Sequence, residues 1–166
     1  MLGHLVMTAP GFDYSRLFHQ GIRVPDMAAA MAELGPALGV TFCPPIVAQQ
    51  SAWLPGIGPT TIALEFTYSM EGPQHVELLC GAPGSIWDGR DAPGLHHVGA
   101  WSDDVGAQTK QLIEEGHTLE IAQVAPEDGY GTFTYLRPPN SRFLLELVSS
   151  ALLPRFERWW TGGSLY

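Results

Sequence analysis

The order of predicted secondary-structure elements repeats once along this 166-residue chain, and this repeat limits the possible folds most strongly. The first half predicts a strand at 18–24, a helix after Asp26, and strands at 40–47, 60–68 and 74–79. The second half predicts a strand at 95–101, a helix after Asp104, and strands at 118–124, 132–136 and 143–148. Each half therefore has the order β-α-β-β-β, which indicates an α+β protein built from two βαβββ modules.

Capping residues and Gly/Pro positions divide the chain between these elements. Asp26 and Asp104 are predicted helix N-caps, and Gly35-Pro36 and Gly116 are predicted to end the two helices. The segment 51–59, rich in glycine and proline, is predicted to be a loop that carries Trp53. We expect a single domain over 1–166. Its parts are module one at 16–82, a linker at 83–93, module two at 94–150 and a C-terminal extension at 151–166.

Equivalent strands of the two halves carry a histidine and a glutamate each. His19 and His97 lie on the first strands, while Glu77 and Glu146 lie on the last. If the halves pack about a pseudo-twofold axis, these four side chains converge. Two imidazoles and two carboxylates suit one divalent metal ion such as zinc, nickel, cobalt, manganese or iron(II). A histidine or glutamate alone on a strand is more commonly a core or surface residue.

The residues around these positions resemble a known family. The segments read FHQGIRVPD at 18–26, HVELL at 75–79, GLHHVGAWSDD at 94–104 and FLLELV at 143–148. In this order and spacing they are similar to motifs of the vicinal oxygen chelate superfamily, which includes glyoxalases, bleomycin resistance proteins and dioxygenases. The pattern most resembles the methylmalonyl-CoA epimerase-like and glyoxalase I-like branches. The resemblance implies curved mixed sheets around a central cavity.

The resemblance also implies a ligand set. The family's metal ligands fall, residue by residue, on His19, Glu77, His97 and Glu146. Strand alternation places Gly99 and Trp101 on the same face as His97 and turns His96 to the opposite face.

The family's chemistry implies a metal-dependent isomerase, epimerase or lyase that acts through an enolate-like intermediate. Glu146 would act both as ligand and as base, as in the glyoxalase branch. Glu65 is a second catalytic candidate, unless it simply faces solvent. Arg23, Trp101 and His75 are candidate substrate-binding residues. Each lies an even number of residues from a candidate ligand, which places both on the same strand face. The aromatic content predicts a small, hydrophobic keto- or hydroxy-acyl substrate.

The sequence departs from the epimerase branch at its second strand. The stretch 41–50 contains no carboxylate where that branch has its base, and basic residues suited to coenzyme A or glutathione are scarce. Three alternatives therefore stay open. An extradiol-type iron dioxygenase would use His19, His97 and Glu146. A metal-dependent hydrolase or hydratase would activate water. A binding or resistance protein would use the cavity without catalysis.

Composition excludes some classes of partner. Eight Lys and Arg residues against seventeen Asp and Glu give a net charge of −9, and no basic run exists. Nucleic acid and anionic membrane surfaces need clustered positive charge, so neither is expected as a partner. Two cysteines without a secretory signal predict a cytoplasmic protein. A homodimer is compatible with the sequence, although two modules in one chain already complete the site.

The residues Trp159-Trp160 lie in the C-terminal extension, beyond the resemblance. Such an aromatic segment either docks on its own domain or a second subunit, or forms a lid over the pocket.

Overall fold

Eight strands form one closed barrel in the computed structural model, which describes residues 11–166. The strands are β1 Leu17–Arg23, β2 Ile46–Leu54, β3 Gly58–Tyr68, β4 His75–Gly81, β5 Gly94–Ser102, β6 Thr118–Ala122, β7 Phe133–Arg137 and β8 Leu144–Ser149. The helices are α1 Met27–Leu38, α2 Val105–Glu114 and α3 Leu153–Trp160. Up to β8 these elements repeat β-α-β-β-β twice, which confirms the predicted α+β class and its two modules.

The two modules join along seams of unequal strength. The strand order is β1-β4-β3-β2-β6-β7-β8-β5, and β5 closes on β1. The β1–β5 seam is an antiparallel ladder along most of both strands. The β2–β6 seam has a single residue pair, Trp53 with Ala122. Each first strand also runs parallel to the last strand of its own module, so β1, β4, β5 and β8 lie side by side.

Both predicted helix starts are confirmed, but the predicted end of the first helix is wrong. The carboxylates of Asp26 and Asp104 accept hydrogen bonds from backbone N–H groups in the first turns of α1 and α2. Helix α1 continues through Pro36 to Leu38, because a proline removes only one backbone donor. The helix ends at Gly39, whose φ of 68° lets its N–H reach the Gly35 carbonyl.

The predicted loop at 51–59 is also wrong, because this segment forms a β-hairpin. Strands β2 and β3 pair in register from Ile46 opposite Phe66 to Leu54 opposite Gly58. The turn is confined to 55–57, so Trp53 lies within β2. Long-range pairing outweighs the local tendency of glycine and proline to break strands. The strand predicted at 40–47 starts only at Ile46, after Pro44-Pro45.

The linker between the modules is anchored in the core. Trp87 is 1% exposed, and its indole N–H donates to the Tyr135 hydroxyl at 3.2 Å. Asp88 accepts hydrogen bonds from the Gly84 N–H and the Arg90 guanidinium. The linker is therefore part of the barrel packing.

The segment after β8 docks on its own domain. Trp159 is 3% exposed and packs edge-on against Phe66 and Tyr68. The Trp160 ring stacks on His75, with ring centres 3.6 Å apart. Of the alternatives given for Trp159-Trp160, docking on the chain's own domain is therefore the one observed. Among the helices of the described residues, none has the length and apolar character required to cross a membrane.

Removing the Trp159 side chain tests this packing. We expect Trp159→Ala to lower the free energy of unfolding by about 3–5 kcal/mol, because it leaves a cavity in the core. Tyr14→Ala is the control; Tyr14 is 70% exposed, and we expect about 0.5 kcal/mol or less. Urea unfolding measures both. An equal, small effect for the two variants would contradict the docking of α3.

Candidate metal centre

Four buried side chains meet inside the barrel. One donor atom from each of His19, Glu77, His97 and Glu146 lies within 4.8 Å of the other three. Both histidines are fully buried, and Glu77 and Glu146 are 6% and 7% exposed. The structure therefore brings together the four residues that the sequence predicted as metal ligands.

Paired glycines make this convergence possible. In the β1–β5 ladder His19 lies opposite Gly99, and Gly21 lies opposite His97. A Cβ atom on Gly21 would overlap the His97 ring, and one on Gly99 would overlap the His19 ring. Each first strand thus has the pattern His-x-Gly, in which the histidine enters the centre and the glycine admits the other module's histidine.

The spacing of the donor atoms fits one cation. Glu146 Oε2 lies 2.8 Å from His19 Nε2 and 3.2 Å from His97 Nε2. Glu77 Oε2 lies 3.0 Å from His97 Nε2 and 3.5 Å from His19 Nε2. Ligands bound to one divalent cation at about 2.1 Å lie about 3 Å apart when they are at right angles.

The carboxylate oxygens among these atoms lack well-aligned hydrogen bonds. Within residues 11–166, the buried oxygens Glu77 Oε2 and Glu146 Oε2 form no well-aligned hydrogen bond and have only the two imidazole nitrogens beside them, and His19 Nδ1 has no partner. Burying carboxylates without compensation is costly, and here two of them face one point. Two imidazole nitrogens and two carboxylate oxygens form a donor set that a borderline divalent cation would satisfy.

The electrostatics of the cluster show what replaces a cation when none is bound. Burial disfavours a charged His97, but the carboxylates of Glu146 and Glu77 outweigh burial and raise its pKa to about 9. Burial likewise opposes ionisation of Glu146, but the two histidines lower its pKa to about 2. At neutral pH the cation-free centre therefore holds a proton on His97.

Two tyrosines that the sequence analysis did not identify lie opposite the two glutamates. Tyr68 lies opposite Glu77 in the β3–β4 ladder, and Tyr135 lies opposite Glu146 in the β7–β8 ladder. Burial and the nearby carboxylates of Glu77 and Glu146 raise both tyrosine pKa values well above the usual range. Both tyrosines therefore stay protonated. Tyr68 and Tyr135 occupy equivalent positions on the third strand of each module, and this equivalence in the sequence could have identified them.

His96 also contacts the centre, contrary to strand alternation. The β1–β5 register shifts between Gly21 and Ile22, and His96 is the residue passed over. Its Nδ1 lies 3.0 Å from His97 Nδ1. Burial and the His97 charge lower the His96 pKa to about 3, so His96 is a neutral acceptor. A proton on His97 Nδ1 would then leave its Nε2 lone pair facing the cluster.

A cavity of about 360 Å³ lies beside the two carboxylates. Strands from both modules and the segment after β8 form its walls. Its apolar walls include Leu64, Phe66, Leu79, Trp87, Phe133 and Phe156. Its polar walls include Gln49, Gln50, Ser51, Gln123, Thr132 and Arg155. The centre is thus accessible to a small molecule inside the barrel.

The three predicted substrate-binding residues do not line this cavity. Arg23 donates to the Ile86 carbonyl in the linker at 3.1 Å, and burial lowers its pKa. Trp101 stacks on Phe18 with ring centres 3.7 Å apart. His75 lies under Trp160. Neighbouring aromatic groups or the linker cover each of these side chains.

Glu65, the second catalytic candidate, lies apart from the centre. Its neighbours Leu64 and Phe66 line the cavity, so alternation directs Glu65 to the outside of the barrel. There it is half-buried and pairs in register with Cys80 on β4. We therefore leave it out of the proposed site.

Adding a methyl group at the paired glycines tests the geometry of the centre. We expect Gly21→Ala and Gly99→Ala each to lower the free energy of unfolding by about 1–3 kcal/mol, because the new Cβ displaces a histidine ring. Gln20→Ala, at an exposed position on β1, should have little effect. Urea unfolding measures all three. Glycine variants as stable as the Gln20 variant would contradict the interlocked arrangement.

Comparisons with known proteins point to one family. The structure resembles methylmalonyl-CoA epimerase from Mycobacterium tuberculosis, with 18% identity, 81% of this chain and 87% of that chain covered, and a TM-score of 0.55. It also resembles a Streptomyces coelicolor methylmalonyl-CoA epimerase variant in complex with 2-nitronate-propionyl-CoA. The identity is 22%, the alignment covers 82% of this chain and 94% of that chain, and the TM-score is 0.56. A hypothetical protein from Bacillus halodurans is 18% identical, with 81% of this chain and 93% of that chain covered and a TM-score of 0.51.

These similarities show a shared fold. No curated protein matches the sequence significantly. The sequence model of the Glyoxalase/Bleomycin resistance protein/Dioxygenase superfamily matches residues 18–135, which include three of the four clustered residues. Since this match covers well over half of the chain, the protein belongs to the Glyoxalase/Bleomycin resistance protein/Dioxygenase superfamily, also called the vicinal oxygen chelate superfamily.

Proposed function

We propose that this protein is a metal-dependent isomerase, epimerase or lyase that acts through an enolate-like anion of a small keto- or hydroxy-acyl substrate. His19, Glu77, His97 and Glu146 hold one divalent cation. The observation that carries this proposal is the set of four converging donor atoms, two of them carboxylate oxygens without a well-aligned hydrogen bond, beside a cavity.

The bound cation would supply Lewis-acid stabilisation of negative charge that develops on a substrate oxygen. The chain's own residues would move the proton. Glu146 lines the cavity and is the candidate base for a proton on the substrate carbon. Tyr135 stays protonated and lies opposite Glu146 in the β7–β8 ladder, so we expect its hydroxyl to hold the carboxylate towards the cavity.

A second carboxylate at the cavity favours isomerisation or epimerisation. Glu77 lines the same cavity as Glu146 but reaches it from β4, while Glu146 reaches it from β8. An epimerase must remove a proton from one face of a carbon and deliver a proton to the other face. Two carboxylates on strands of different modules suit that requirement.

The cavity indicates a substrate smaller than a coenzyme A thioester. Its volume of about 360 Å³ is at the lower end of the range of about 300–1,000 Å³ for small-molecule sites. The Streptomyces coelicolor epimerase structure contains a coenzyme A derivative. Here the described lining has a single Lys or Arg, whereas the coenzyme carries several phosphate charges.

The ligand number favours proton transfer over oxygen chemistry. Iron(II) oxygenases of the two-histidine, one-carboxylate type leave several metal positions open for oxygen and substrate. In this protein a fourth donor, from Glu77, reaches the same point as the other three.

Metal content tests the proposed centre. We expect protein purified without an affinity tag to contain about one equivalent of divalent metal by elemental mass spectrometry. His97→Ala and Glu146→Gln should lose it, because each removes one of the four donors. His117→Ala, a histidine outside the cluster, should retain it. Equal metal content in His97→Ala and His117→Ala would contradict the ligand assignment.

The reaction class is tested by proton exchange. We expect the metal-loaded protein to exchange carbon-bound hydrogen next to the carbonyl of small 2-oxo and 2-hydroxy acyl compounds with deuterium oxide, followed by NMR. Glu146→Gln should abolish the exchange, because it removes both the proposed base and one of the four metal donors. Oxygen consumption with catechols, without any hydrogen exchange, would contradict the proposed isomerase or lyase.

Metal affinity should depend on pH through His97. Below its pKa of about 9 the ring is protonated, so a metal ion must displace a proton before it binds. We expect the apparent affinity for Mn²⁺ to rise about tenfold per pH unit from about pH 6.5 towards pH 9 and then to level off. Electron paramagnetic resonance of free Mn²⁺ measures this affinity. A flat profile would contradict the cluster electrostatics.

A further inference from the structure

We propose that Arg155 is the anion-binding subsite of the cavity and that the substrate carries a carboxylate that pairs with its guanidinium. This inference rests on the proposed function, because it takes this cavity as the substrate site. The substrate class is then an apolar acyl compound with an anionic group.

Arg155 is fixed at the cavity wall by neutral partners. It lies in α3 and lines the cavity. Its Nε donates to the Leu165 carbonyl at 3.2 Å, and its guanidinium lies over the Tyr166 ring, 5.0 Å from the ring centre. No carboxylate within residues 11–166 forms an ion pair with it. The two terminal nitrogens of the guanidinium therefore keep their donors for a ligand.

Three of the six other arginines in this acidic chain form ion pairs with carboxylates, whereas Arg23, Arg142 and Arg158 form none within residues 11–166. Ion pairs join Arg16 to Asp103, Arg90 to Asp88 and Arg137 to Glu120. The chain has eight Lys and Arg residues for seventeen Asp and Glu residues, so carboxylate partners are abundant. Arg155, by contrast, faces a cavity without an acidic partner of its own.

The remaining walls define what such a ligand looks like. Among the described cavity-lining residues, the charged side chains are those of Arg155, Glu77 and Glu146, and the two glutamates belong to the proposed metal centre. The other polar groups are uncharged amides and hydroxyls. Apolar side chains such as Phe66 and Phe133 line the same cavity. This pattern fits an apolar body with one carboxylate, which a guanidinium binds through two parallel hydrogen bonds.

Arg155 lies beyond the residues that the superfamily model matches. The match ends at residue 135, whereas α3 starts at Leu153. The proposed anion subsite therefore lies in the C-terminal extension, and it replaces Arg23, which the sequence suggested for the same role.

Paired ligands that differ only in charge test the subsite. The probes are ω-phenylalkanoates from phenylacetate to 6-phenylhexanoate, each compared with its primary amide. Binding is measured by calorimetry on chelator-treated, full-length protein, so that a carboxylate cannot be held by a metal ion. We expect at least one acid to bind about tenfold or more tightly than its amide.

The variants separate charge recognition from a structural role. Arg158→Gln is the matched control, because the Arg158 Nε also donates to a backbone carbonyl of this segment, that of Ser164, but Arg158 does not line the cavity. We expect Arg155→Gln to abolish the preference for the acid and Arg158→Gln to preserve it. Arg155→Lys should retain part of it, because the charge remains. Equal melting temperatures of the two glutamine variants would show that the segment stays docked in both.

Either of two results would overturn the inference. The first is that no acid binds the unmodified protein more tightly than its amide, which includes the case in which no probe binds. The second is that Arg155→Gln keeps the preference for the acid. Because these measurements need no metal, they stand apart from the test of the metal centre. A protein that contains no metal but shows the Arg155-dependent preference would contradict the proposed function and retain the anion subsite.

Discussion

The burial of two carboxylates, each with an oxygen that forms no well-aligned hydrogen bond, is the constraint on which the structure of this protein depends. Glu77 and Glu146 each direct an unpartnered oxygen to the point where two buried histidines also meet. Such an arrangement is unfavourable unless a cation or a shared proton compensates it. Tyr68 and Tyr135 lie opposite the two glutamates on the adjacent strands, and His96 contacts one imidazole. The barrel thus encloses negative charge that a divalent cation would compensate.

The internal repeat explains how one chain builds such a centre. Each module contributes a histidine from its first strand and a glutamate from its last strand, which run parallel and adjacent. Because Gly21 and Gly99 lack side chains, the two histidine rings cross the seam between modules. The weaker seam, at β2 and β6, lies on the other side of the strand order, where the cavity has walls from both modules and from α3.

The sequence predicted what depends on local pattern and strand alternation. Element order, both helix caps and the convergence of His19, Glu77, His97 and Glu146 follow from period, capping and the repeat. Features that depend on long-range contacts were not predictable. The β2–β3 hairpin forms despite its glycines and prolines, and the linker buries Trp87. A register shift turns His96 inwards, and docking of α3 covers His75 and brings Arg155 to the cavity.

The central claim is that one divalent cation occupies the point between the four donor atoms. Anomalous X-ray diffraction from crystals of the purified protein, recorded on both sides of the metal absorption edge, tests it most directly. We predict one anomalous peak at about 2.0–2.3 Å from the two histidine Nε2 atoms and from an oxygen of each glutamate. Crystals grown with Mn²⁺ or Zn²⁺ in which the side chains keep this arrangement but show no anomalous peak would contradict it.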